Sequence, residues 1–100
     1  MSVKIWIDDM RTAPDGFLWC KTYESAIEML DYFSSCNYDI KVVDFDHDLG
    51  EEKSGYDVAK YIVEYQLPIG SFRVHSMNPV GRRNIEQLLT HYGYKERNFL

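Results

Sequence analysis

Apolar residues recur along this chain in two rhythms. Short β-branched and aromatic runs, "VKIWI" at 3–7, "FLWCK" at 17–21, "IKVVDF" at 40–45 and "SFRVHS" at 71–76, read as strands. Between them, apolar residues three and four apart read as amphipathic helices. Ala26, Ile27, Leu30 and Phe33 predict a helix from about Tyr23 to Ser34, capped by Thr22 and stopped at Asn37. Val58, Ala59, Ile62 and Tyr65 predict a second, closed by Pro68. A third has the fullest punctuation: Asn78 as cap, Pro79 at the first helical position, Ile85, Leu88, Leu89 and Tyr92 on one face, and Gly93 at its end. "RTAPDG" at 11–16 contains the breakers Pro14 and Gly16 and predicts a loop, while the tail "YKERNFL" at 94–100 predicts a fifth strand.

Strands alternating with helices imply βαβ units and a mainly parallel sheet with right-handed crossovers. Ligands of such sheets bind outside the carboxyl ends of the strands. Polar clusters follow three of the predicted strands here: Asp8 and Asp9 after the first, Asp46, His47 and Asp48 after the third, and "HSMN" from His75 after the fourth. The topology therefore brings all three to one edge.

Composition narrows the setting. One hundred residues suffice for one core, so residues 1–100 are read as a single domain, and eight Tyr with five Phe predict an aromatic-rich core. "MSVKIWIDDM" reaches acids before any sustained apolar run, and no segment approaches the roughly 20 apolar residues of a membrane span, which predicts a cytoplasmic protein without membrane contact. Cys20 and Cys36 lack the spacing of a zinc site and read as reduced packing residues. A formal charge of −5 argues against an extended nucleic-acid surface but permits a small basic pocket for one phosphate.

The converging groups suggest two half-sites. Asp8, Asp9 and one of the "DHD" carboxylates, Asp46 by preference, place three hard oxygen ligands in one crevice, where their mutual repulsion calls for a cation. Carboxylates plus waters suit Mg²⁺ or Mn²⁺ better than zinc. Asp44, inside its strand, is the acid with least to do. Asp48 reads either as a partner that orients His47 or as a cap for its loop. The other half is "HSMNPVGRR": Ser76, Asn78 and the helix-start amides form an anion site, with Arg82 and Arg11 as phosphate ligands. His47 and His75 are the proton-transfer candidates, one base and one acid in either order.

The order of these features resembles a response-regulator receiver domain. The acidic pair, "TYESAIEML", the Asp ending the third strand, "SGYDVAKYI" and the Ser ending the fourth carry that resemblance. It implies a flavodoxin-like α/β three-layer sandwich with a sheet of order 2-1-3-4-5, metal on Asp8, Asp9 and Asp46, and Asp46 at the position receivers phosphorylate. Two departures stand out: the first helix is shortened or lost in "RTAPDG", and Lys95 lies too early to be the Lys that ends a receiver's fifth strand. "WIDDMRTAP", "DFDHDLG", "SGYDVAKYI" and "VHSMNPVGRRN" together resemble a narrower family, the cyclic-phosphate processing receiver domains. That resemblance implies a metal-dependent phosphoesterase acting on a small cyclic phosphate or an RNA 2′,3′-cyclic phosphate end. The alternative is a signalling module that binds a phosphorylated ligand or is phosphorylated on Asp46.

Overall fold

A computed structural model describes residues 1–97 and realises the alternating pattern as strands β1 (Ser2–Ile7), β2 (Leu18–Cys20), β3 (Asp39–Phe45) and β4 (Phe72–Val74). Helices α1 (Tyr23–Ser35), α2 (Gly55–Glu64) and α3 (Pro79–His91) lie between and after them. The strands pair in parallel in the order β2-β1-β3-β4. At the fifth position Phe72 bridges Glu96, donating its N–H to Lys95 O at 2.9 Å and accepting from Arg97 N–H at 2.7 Å. The predicted fifth strand is thus a single bridge there, and its residues 98–100 lie outside the described residues.

The predicted punctuation holds. Thr22 Oγ1 accepts from Ser25 N–H at 3.0 Å, and Asn78 Oδ1 accepts from Gly81 N–H at 3.0 Å. Asn37 (φ 59°) and Gly93 (φ 89°) follow α1 and α3 in the left-handed conformation that ends a helix.

All three helices cover one face of the sheet. Ala26 and Leu30 of α1, Val58, Ala59 and Ile62 of α2, and Ile85 and Leu89 of α3 join Ile5, Ile7, Ile40, Val43, Phe45, Phe72 and Val74 in one core. Each fully buried Leu, Ile or Phe contributes roughly 1.5–3 kcal/mol by leaving water. The expected aromatic-rich core is corrected: apart from Phe45 and Phe72 the largest fully buried side chains are aliphatic, while Tyr32, Tyr65 and Tyr92 are exposed. A tyrosine hydroxyl needs a polar partner, and the periphery supplies one; Tyr61 donates to Asp31 and Tyr94 to Leu67 O, each at 2.9 Å.

The opposite face lacks the first helix, as "RTAPDG" predicted. In its place residues 9–17 fold back as a loop, setting Phe17 edge-on to Trp6 with ring centroids 6.0 Å apart. Two indoles pin that loop: Trp6 Nε1–H donates to Arg11 O at 2.9 Å and Trp19 Nε1–H to Asp8 O at 2.7 Å.

A bulge decides which side chains reach this thinner face. Val3 pairs with Ile40 but Lys4 pairs with Val42, leaving Lys41 as an extra residue in β3. Ile40 and Val43 can then both face the helices although three residues apart. Asp44 is turned to the other face, in register with Trp6 of β1 and Arg73 of β4.

Two predictions follow from this framework. A Cβ on Gly55 would collide with the backbone carbonyl of Asp46. Gly55→Ala should therefore cost about 1–3 kcal/mol or more in urea denaturation, because backbone rather than a flexible side chain must yield. Glu96 has its carboxyl pushed up to about 7 from an ordinary 4.5 by hydrogen bonding with Glu86, then by burial and the like charge of Glu86. Between those values the folded chain holds more protons than the unfolded one, so this contribution to stability is complete below 4.5 and lost as pH rises towards 7. Denaturation midpoints measured across that window should fall for the wild type more steeply than for Glu96→Gln.

Candidate metal and phosphate site

Strand parity builds the site. Trp6, Asp44 and Arg73 form a row across β1, β3 and β4, and two residues further along each strand direction stand Asp8, Asp46 and His75. These three each offer a ligand atom, all within 4.8 Å of one another. The intervening residues go elsewhere. Asp9 lies against Gly50, where an added Cβ would sit 2.7 Å from Asp9 Oδ2. Of the acids expected to share an ion, the fold therefore brings together Asp8 and Asp46, with His75 in the place foreseen for Asp9.

Asp8 is fully buried. Its Oδ1 accepts from Met10 N–H and Arg11 N–H, both at 2.8 Å, closing the loop start, and its Oδ2 faces His75 Nε2 at 2.8 Å. Burial alone would raise its pKa, but the Arg11 and Met10 amides and then His75 outweigh it and hold the carboxyl below its ordinary value. Asp46 Oδ1 accepts from His47 N–H at 2.9 Å.

His75 is held on three sides. Nδ1 lies 2.8 Å from Asp44 Oδ1, Nε2 lies 2.8 Å from Asp8 Oδ2, and Trp6 stacks on the ring at 3.8 Å with an interplanar angle of 2°. Trp6, from the apolar run of β1, serves as packing against an imidazole. Asp44 is the residue that sequence reasoning undervalued. It is fully buried, its Oδ2 has no hydrogen bond, and Arg73 Nη1 approaches that oxygen to 3.6 Å. The available signal was a carboxylate inside an apolar strand two residues before another, since a buried charge persists only with partners.

His47 sits on the helix side. Its ring lies against the α3 backbone so closely that a Cβ on Gly81 would overlap it, and its Nδ1 lies 3.2 Å from Asp48 Oδ1. Asp48 thus has the orienting geometry considered for it, and its Oδ2 also receives Asn78 Nδ2–H at 3.5 Å.

The expected phosphate ligands are engaged by neighbours. Ser76 Oγ accepts from Asn78 N–H at 3.0 Å, and the Asn78 carboxamide caps α3. Pro79 has no N–H, Gly81 gives its own to Asn78 Oδ1 and Arg82 to Asn78 O, which leaves Val80 in the first turn. Arg82 pairs with Glu86 at 3.4 Å along the helix. Arg11, half exposed, donates through Nη1 to His75 O at 2.9 Å with Nε 4.0 Å from Asp8 Oδ2, so its guanidinium stands at the crevice. Cys20 is no rival nucleophile, because burial pushes its thiol up to about 11.

A parallel β2-β1-β3-β4 sheet with acids at the ends of β1 and β3 defines a receiver-like α/β domain of the flavodoxin type. More narrowly, the chain belongs to the family of cyclic-phosphate processing receiver domains, whose model matches residues 3–91. No curated protein and no solved structure matched the chain. Among the described residues no helix is long and apolar enough to cross a membrane.

The Gly81 contact gives a direct test of this geometry. Gly81→Ala should displace the His47 imidazole, moving its ring resonances in a two-dimensional NMR spectrum while those of His75 stay in place.

Proposed function

We propose that this protein is a divalent-metal-dependent phosphoesterase that opens a cyclic phosphate, either a cyclic nucleotide or the 2′,3′-cyclic end of an RNA. The observation that carries this reading is the meeting of Asp8, Asp46 and His75, from three strand ends, within 4.8 Å. Family membership favours the same chemistry.

The donor set fits a divalent ion. Asp8 Oδ2 receives no backbone N–H, Asp46 has its second oxygen beyond the His47 bond, and two carboxylates with an imidazole suit Mn²⁺ as well as Mg²⁺. Such an ion, when bound, supplies Lewis acidity to a phosphoryl oxygen and lowers the pKa of water.

The remaining groups act directly on the substrate. Arg11 would hold a non-bridging phosphoryl oxygen with N–H groups not used on His75 O, which favours the charge that develops as water adds to phosphorus. His47, oriented by Asp48, would move the proton: water loses one as its oxygen bonds to phosphorus, and the departing ester oxygen gains one as its bond to phosphorus breaks. The product is an acyclic phosphomonoester.

Purified protein with Mn²⁺ should convert a 2′,3′-cyclic nucleotide to its monoester, followed by chromatography or ³¹P NMR. His47→Ala should lower kcat by about 10²–10⁴-fold if the imidazole transfers a proton in the transition state. Absence of turnover across a panel of cyclic phosphates would remove the enzyme reading, and a mass gain on Asp46 from a small phosphodonor would favour the signalling alternative.

A further inference from the structure

We infer that His75 is a ligand of the divalent ion and that Asp44 is the positioning residue that aims it. This rests on the metal-dependent reading above and deepens it, because it gives the two histidines different tasks.

A histidine that binds a metal through one ring nitrogen generally donates the other N–H to a carboxylate, a backbone carbonyl or a water, which fixes its tautomer and orientation. Asp44 stands in that place, fully buried, with Oδ1 2.8 Å from His75 Nδ1. Arg73 Nη1 stands 3.6 Å from the other oxygen, on the side away from the imidazole. Trp6, parallel to the ring at 3.8 Å, prevents it from tilting out of line. The ring is therefore held by its Nδ1 edge and one face, and its remaining nitrogen is directed at Asp8.

Nε2 can donate a proton to Asp8 or share a cation with it. Asp46 favours the cation, since its ligand atom lies within 4.8 Å of those of both Asp8 and His75, and a proton on Nε2 would leave it no part in the cluster. The 2.8 Å between Nε2 and Asp8 Oδ2 is close to the roughly 3 Å between adjacent ligands of an octahedral ion bound at about 2.1 Å. Charge points the same way. The three carboxylates of Asp8, Asp44 and Asp46 outnumber the two guanidiniums of Arg11 and Arg73, so a dication among them adds the positive charge that attracts a phosphodiester. Proton transfer is then left to His47, which faces Asp48 on the other side of β3.

Pulsed EPR of the Mn²⁺-loaded chain, with isotopically labelled histidine, tests this without reference to turnover. A directly coordinated imidazole nitrogen is expected in the wild type, retained in His47→Gln and His91→Gln, which assigns it to His75 without altering that residue. His75→Gln should lose the coupling. Asp44→Asn, close in shape to the native side chain, should weaken Mn²⁺ binding by about 10- to 100-fold with an unchanged circular dichroism spectrum. Mn²⁺ that binds through Asp46, as judged by its loss in Asp46→Asn, yet shows no nitrogen coupling would overturn the inference and leave the metal reading standing. A wild type that binds no Mn²⁺ would overturn both.

Discussion

A single imidazole between two buried carboxylates ties the carboxyl edge of this sheet together. His75 lies just beyond β4, Asp44 is inside β3, and Asp8 follows β1, so the Asp44–His75–Asp8 chain spans three strands through two contacts of 2.8 Å. Neither carboxylate is exposed; Asp8 is compensated by two amides and the imidazole, and Asp44 by the imidazole with the Arg73 guanidinium nearby. Removing one member leaves an uncompensated buried charge, which costs about 3–5 kcal/mol in comparable pairs. The positions of the β1 loop and the β4 loop are thereby coupled: Arg11, anchored by its own amide on Asp8, reaches across to the His75 carbonyl.

That coupling stands in for the helix this fold has lost. The second face of the sheet is covered by a loop rather than a helix, and the loop holds its shape through polar contacts with Trp6, Trp19 and Asp8. Missing side chains matter as much as present ones. Gly55 lets α2 begin against the Asp46 backbone, Gly81 lets α3 begin against the His47 ring, and Gly50 leaves space for Asp9. The loop carrying Asp46, His47 and Asp48 is gripped between two helix starts, which gives a short sequence of charged residues fixed directions.

Those directions divide the site. Residues two beyond the Trp6–Asp44–Arg73 row gather as the candidate metal cluster, while His47 is turned to the α3 side with Asp48 and Asn78. Under the proposed function the first would be an ion-binding half and the second a proton-moving half, with a phosphoryl group between them and Arg11 at its margin.

Sequence alone determined the elements, their caps, the loss of the first helix and the convergence of three strand ends, because these depend on local periodicity and on turn chemistry. Asn78, Pro79 and Gly93 mark α3 whatever surrounds it. It also determined that Asp8, Asp46, His47 and His75 share an edge. Only the tertiary structure decided which of them meet. The extra residue at Lys41 shifts the register of β3 against β1, and a shift of one residue moves a side chain to the opposite face. Asp44, which looked idle inside its strand, therefore faces Arg73 and His75 instead of the helices. Asp9 lies against Gly50 through the packing of its loop, whereas Arg82 with Glu86 and Asn78 with its own helix are engaged by partners within α3 itself. Periodicity tells which side chains alternate, but strand pairing sets the phase, and the phase is what selected this site.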